Sequence, residues 1–354
     1  VGLIQAGKDL QLMAASVNNA DKGQILALGK DAASSLEISG QLNNQGKIAG
    51  NAGLDVNAAD IDNHGGSLQS ADKLSLNKQA SLNNDGGHIV AKDLSLTEDT
   101  LSNQGGEVFA QQALDAQLSQ LNNAKGSLIG SQSLSLSVGD LLRNDGLLGS
   151  DGQLKLTAGQ LENGAGLIQA GKDLQLTAAS VNNADKGQIL ALGKESISSL
   201  EISGQLNNQG KIAGNAALDV NAADIDNHGG SLQSATQLNL NKQASLNNDG
   251  GHIVAKDLNL KADTLSNQGG EVFAQQQLDA ELQQLNNAKG SLIGSQKLNL
   301  TTSASLHNDG LLGSDGQLKL TVGQLENGVG LIQAGKDLQL MAASVNNADK
   351  GQIL

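Results

Sequence analysis

Apolar residues in this chain follow a repeating frame. In Gly46 to Gly65, GKIAGNAGLDVNAADIDNHG, Ile48 stands two residues after the opening glycine. Leu54 and Val56 follow as a pair two apart, and Ile61 closes the frame before Asn63. The next unit repeats it with Leu68, with Leu74 and Leu76, and with Leu82 before Asn83 and Asn84. Apolar residues at i and i+2 share one face of a strand but lie on different faces of a helix. Each unit therefore predicts three short strands, joined at corners rich in Gly and Asn. The openings fall at Gly2, Gly23, Gly46, Gly66, Gly87, Gly106, Gly126 and Gly146. They continue at Gly166, Gly187, Gly210, Gly230, Gly251, Gly270, Gly290, Gly310, Gly330 and Gly351. A period near 20 residues, held this long, predicts a stacked array rather than a globular domain.

The fold class that follows is all-β, a parallel β-helix (solenoid) of about 20 residues per coil with three short strands in each. Parallel connections of this length are expected to wind right-handed. Seventeen coils at about 4.8 Å each make a rod of roughly 80 Å. Unit length varies while the apolar anchors keep register, so the extra residues belong in corners. The longest unit predicts a small outward loop at Gly29 to Ser35, and a second at Gly193 to Ser199.

A longer period overlies the short one. GLIQAGKDLQLMAASVNNADK from Gly2 returns, nearly unchanged, from Gly166 and Gly330. Residues 1–354 are therefore expected to be one uncapped β-helix fragment, with duplicated blocks 2–165 and 166–329 and the start of a third at 330–354. The two blocks differ at 24 of 164 positions, and many exchanges are polar and outward, such as Ser75 for Asn239. The anchors Leu54, Val56, Leu134 and Leu136 keep their identity in the second block. Leu141 becomes Ser305, where neighbouring Leu142 and Leu306 can supply the anchor.

Composition narrows the function. Phe109 and Phe273 are the sole aromatic residues, Cys and Pro are absent, and the formal charge is −14. Such an acidic chain argues against nucleic acid, whose phosphates require a basic surface. No apolar run approaches the roughly 20 residues of a membrane-spanning helix. The corner doublets Asn18-Asn19, Asn43-Asn44, Asn83-Asn84 and Asn122-Asn123 can form amide ladders along the stack. Asn also tolerates the left-handed backbone of a tight corner. Sugar recognition by an amide row is the alternative reading.

Other candidates carry less. Asn83-Asn84-Asp85-Gly86-Gly87 has a superficial likeness to a calcium turn, but the nine-residue carboxylate spacing of calcium-binding solenoids is missing. Asp60 and Asp62 flank Ile61 on one outward face and return as Asp224 and Asp226. Paired carboxylates serve glycoside hydrolysis, yet a solvated acidic face is the simpler reading. His64, His88, His228, His252 and His307 lack metal-ligand spacing. Phe109 and Phe273 follow an inward Val, so alternation turns them outward or into a corner. No catalytic, cofactor or metal residues are assigned.

The frame G-x-[LIV]-x-[AGS]-x3-L-x-L-x4-[LV]-x-N, with its LNNQGG-like and LIQAGKDLQL-like segments, closely resembles the haemagglutinin repeats of filamentous-haemagglutinin-type exoproteins. The resemblance covers essentially the whole chain. It implies a right-handed parallel β-helix and export through an outer-membrane transporter of two-partner secretion. It also implies display at the bacterial cell surface, in an adhesin or a contact-dependent growth-inhibition effector. The expected role is a stiff, non-enzymatic stalk, monomeric or stacked end to end, that projects a distal adhesive or toxin segment. Two alternatives stand beside it. In one the repeat surface itself binds a glycan or cell-surface receptor. In the other the chain is a β-helical polysaccharide lyase or hydrolase.

Overall fold

The computed structural model describes residues 2–184, 186–348 and 350–354, and for Lys78, Gln79 and Lys242 the backbone alone. Every strand pairing given for these residues is parallel, and no helix occurs among them. The chain divides into two compact units, one ending at Lys172 and the other beginning at Asp173. Each is a β-solenoid built from the frame above.

The coil from Lys47 shows how it forms. Its strands are Lys47–Gly50, Leu54–Asn57 and Asp60–Asp62. Ile48 lies between Ile25 of the coil before and Leu68 of the coil after. Val56 lies between Leu36 and Leu76, and Ile61 between Leu42 and Leu82. Each anchor therefore sits over its equivalent, and all nine of these side chains are buried. The same columns run through the second unit, as in Leu240, Leu260 and Ala280. An aliphatic column suits this geometry, because identical spacing lets branched side chains interdigitate at close-packed density.

Removal of one anchor should be felt locally. Leu76 is fully buried, with Val56 and Leu96 on either side in register. Leu76→Ala is expected to cost the first unit about 2–5 kcal/mol, the usual price of a leucine-sized cavity. A shifted denaturation midpoint, with hydrogen exchange raised mainly in the coils from Lys47 to Asn103, would register it.

Three details depart from the expected coil. First, the three short strands are separate only in some coils. Elsewhere they merge into runs such as His88–Asn103, Glu107–Asn123 and Leu128–Asn144. The two corners inside those runs survive as register shifts, at Ala91/Asp93, Ala110/Ala113 and Leu118/Gln120. One coil there carries an extra residue that its neighbour lacks, and pairing resumes as around a β-bulge.

Second, the seventh coil opens at Ser127 rather than Gly126. Val108 pairs with Ile129, and Ile129 with Leu148, so Ile129 is the buried anchor and Gly106, Ser127 and Gly146 align. Gly126 adopts φ 84 and matches the left-handed Gly105 of the preceding corner. The twin coil likewise opens at Ser291, after Gly290 at φ 87. A leucine stands two residues after each misassigned glycine, which is why spacing alone chose the wrong frame.

Third, the outward loops are shorter than expected. Leu28 to Ala33 is exposed or half-exposed and lies outside the strands, but Ser34 begins the strand Ser34–Ile38. The Ser34 hydroxyl accepts the Leu10 N–H at 2.9 Å and is buried there. Ser198 does the same for Leu174 at 3.0 Å, so the second loop ends at Ile197, which is 63% exposed.

Candidate functional site: the asparagine ladder

One inward asparagine closes each coil. In the first unit these are Asn19, Asn44, Asn63, Asn84, Asn103, Asn123, Asn144 and Asn163. Their side chains are joined in sequence, each Nδ2 donating to the Oδ1 of the next. The distances from Asn19 to Asn163 are 2.8, 2.7, 2.8, 2.9, 3.0, 2.8 and 2.8 Å. The second unit repeats this from Asn183 through Asn208, Asn227, Asn248, Asn267, Asn287, Asn308 and Asn327 to Asn347. There the distances are 2.8, 2.7, 2.8, 2.9, 3.0, 2.8, 2.8 and 2.7 Å.

The direction of the ladder is fixed by the main chain. Most of these Nδ2 groups also face a carbonyl in the opening strand of the coil after next, as Asn84 faces Glu107 O at 3.0 Å and Asn123 faces Leu147 O at 3.2 Å. A carbonyl can only accept, so the amide nitrogen must point that way and the oxygen must point back. From Asn44 to Asn163 these residues are wholly buried. A buried amide is costly unless its hydrogen-bonding groups are met, and here neighbouring coils meet them.

Of the sequence candidates, the structure places Asn19, Asn44, Asn84 and Asn123 in this inward row. Asn18, Asn43, Asn83 and Asn122, one residue earlier, point outward. Asn83 donates to Asp62 Oδ1 at 3.1 Å, on the outside of the closing strand. The doublet was the visible signal, but the ladder uses only its second member. Single residues such as Asn103, Asn144 and Asn163 complete it, and the signal for them is an aliphatic residue two positions earlier.

The ladder also explains the opening glycines. A Cβ on Gly66 would lie 2.0 Å from Asn44 O, and one on Gly106 would lie 2.0 Å from Asn84 O. Ser127 escapes by converting the approach into bonds. Its hydroxyl donates to Asn103 O and accepts the Gly105 N–H at 3.0 Å.

Charged candidates are bound into neighbouring coils. Asp85, in the turn with a likeness to a calcium loop, accepts the Ser102 hydroxyl and the Gln104 N–H, each at 2.8 Å. It therefore ties down the next corner. Asp60 accepts from Ser81 at 2.6 Å, and Asp62 from the His64 N–H at 3.1 Å. Both are half-buried on the outer face, each engaged to a different neighbour. Among the described residues there is no group of three His, Asp or Glu placed to hold a metal ion.

Three histidines meet carboxylates that sequence spacing did not reveal. His88 faces Glu107 at 3.0 Å and His252 faces Glu271 at 2.9 Å, nineteen residues along and one coil away. His307 lies 3.1 Å from Asp309 and 3.4 Å from Glu326, where the first unit pairs Arg143 with Glu162 at 2.8 Å. The Val329 N–H and then His307 hold the Asp309 carboxyl below its ordinary value. His64 and His228 are exposed at corners. All are surface contacts that add little to stability. Phe109 and Phe273 are half-buried on the outside of the opening strand, in register with Gly130 and Gly294. Each ring covers the bare backbone of its glycine.

The two units differ most visibly on one outward column of the middle strand. Ser75, Ser95 and Ser135 are replaced by Asn239, Asn259 and Asn299. Asn239 donates to Asp219 at 2.5 Å, Asn259 to Asn239 at 2.8 Å, and Asn299 to Asp279 at 2.6 Å. The second unit thus gains short outward amide rows in addition to the buried one.

A further residue escaped the sequence reading. Glu98 occupies the inward position after Leu94 and Leu96, where other coils place Ala58, Leu118 or Val138. It is 5% exposed, and neither carboxylate oxygen has a hydrogen-bond partner. Burial pushes its pKa up to about 9.

Comparison with known proteins agrees with this architecture. The family model for the haemagglutinin repeat matches residues 1–39, 31–98, 89–146, 133–194, 198–257, 253–312 and 294–354. No curated protein and no solved structure matches the chain.

Proposed function

The chain belongs to the haemagglutinin repeat family, and from that premise we propose that it is the stalk of a bacterial surface exoprotein. The family is one of structural and adhesive repeats associated with secreted and surface exoproteins. In this reading the coils carry an adhesive or toxin segment away from the cell. The parent chain leaves through an outer-membrane two-partner-secretion transporter.

The observation that carries the proposal is the locality of the contacts. Register partners lie in the coil before and the coil after, and the amide ladder advances one coil at a time. Such an array folds by propagation from its neighbour. A chain emerging from a pore can therefore add coils in order, without cofactor or disulfide. The side chains inside are used for packing and for the ladder, which gives stiffness rather than chemistry.

Deletion of residues 166–329 from the parent exoprotein tests this. Eight coils should disappear, shortening the surface fibre by about 38 Å at the usual strand spacing, with distal adhesion or toxicity retained. Unchanged fibre length, or loss of the distal activity from a correctly exported protein, would contradict a spacer role.

A further inference from the structure

We propose that Glu98 makes the strand His88–Asn103 an alkali-loosened joint in the first unit, one that its twin strand His252–Asn267 lacks. The duplication supplies the comparison. In the middle-strand frame Glu98 is in register with Gln79 on one side and Leu118 on the other. Its counterpart Ala262 is in register with Gln243 and Leu282. The flanking residue types in that column are the same in both units, so on the inner face the buried carboxyl is what separates the two sites. On the outer face Thr97 and Gln117 give way to Lys261 and Glu281, which pair at 3.0 Å.

Among the described side chains, none inside the first unit offers Glu98 a hydrogen bond or a positive charge. The described inward residues around it on the strand and its neighbours include Leu76, Leu94, Leu96, Leu101, Ala116 and Leu118, all buried and apolar. The charged residues of the three strands are Lys73, Lys78, Lys92, Asp93, Asp99, Glu107 and Asp115, together with the titratable His88. For Lys78 the backbone alone is described, and the others are exposed or half-exposed. His88 faces Glu107 as His252 faces Glu271, so this contact is common to the twins.

The direction of the effect follows from proton linkage. Burial raises the Glu98 carboxyl from an ordinary 4.5 to about 9. Between those values the folded site holds a proton that the opened site releases. Stability of the strand therefore falls as pH rises, and the opening constant grows by up to tenfold per pH unit. Below the lower value and above the upper one the dependence vanishes.

Hydrogen exchange of the whole 354-residue chain, followed by mass spectrometry from pH 6 to 9, tests the proposal. The readout is the ratio of protection factors in 88–103 and 252–267, each corrected for intrinsic exchange. In the native sequence the ratio should fall with pH, approaching tenfold per unit. In Glu98→Ala, which installs the residue of the twin site, and in Glu98→Gln, the ratio should hold constant. A native ratio that does not change with pH overturns the proposal, as does a slope that persists in both variants. Loss of the slope in Lys78→Met would also overturn it, because pairing rather than burial would then set the titration.

Discussion

Asn84→Ala is expected to destabilise the first unit by about 3–5 kcal/mol, whereas Asn122→Ala should stay within about 0.5 kcal/mol. Both are corner asparagines in similar sequences, and only their direction differs. Asn84 Nδ2 donates to Asn103 Oδ1 at 2.9 Å and to Glu107 O at 3.0 Å, and its Oδ1 accepts from Asn63 at 2.8 Å. Truncation removes these contacts and leaves Asn103 Oδ1 and Glu107 O without that donor, in a place water does not reach. An unmet buried polar group costs about 1–3 kcal/mol, so the loss compounds along the ladder. Asn122 is exposed, and water replaces whatever its side chain gives up. Chemical denaturation of the two variants measures the difference. Equal effects at the two positions would mean that the ladder is incidental.

Gly230→Ala is expected to cost the second unit about 3 kcal/mol or more, through overpacking against a backbone that cannot yield. A methyl there would lie 2.0 Å from Asn208 O and 2.8 Å from Asn208 Nδ2. Relief would require moving the main chain at a ladder residue, and so disturbing Asn208 and its bond to Asn227. The preceding glycine gives the contrast. Gly229 adopts φ 66 with open space around its Cβ position. Gly229→Ala should therefore pay only the left-handed backbone penalty, about 1–2 kcal/mol. Thermal or chemical unfolding of the pair would separate steric from conformational cost.

Much of the fold could be read from spacing because period-two alternation, repeated every 20 residues, admits few structures. Leu54 with Val56, and Leu74 with Leu76, fix strand type, inward face and stacking partner together. What stayed hidden depended on one-residue choices. Gly126-Ser127-Leu128 imitates the opening pattern, so spacing places that opening one residue early. Only pairing of Ile129 with Val108 reveals the true frame. The Asn doublets concealed which member turns inward, because both residue types suit a corner. Glu98 was overlooked because a charged residue in an alternating stretch is ordinarily outward, and Asp99 beside it is exposed. The His88–Glu107 contact was not legible either. It joins residues nineteen apart, and such pairs emerge only once the coil length at that point is known.

Distance measurement between two spin labels in the first unit tests the stacking most directly. Glu37, Asn57, Asn77, Thr97, Gln117 and Ser137 succeed one another in register on a single outward column. Glu37 and Ser137 are both exposed, and the chain has no native cysteine to compete for label. Labels on Glu37→Cys and Ser137→Cys should give one narrow distribution centred near 24 Å, five steps of about 4.8 Å, after allowance for the label arms. A broad distribution, or a centre beyond about 40 Å, would contradict a parallel in-register solenoid, since five strand spacings come to only about 24 Å.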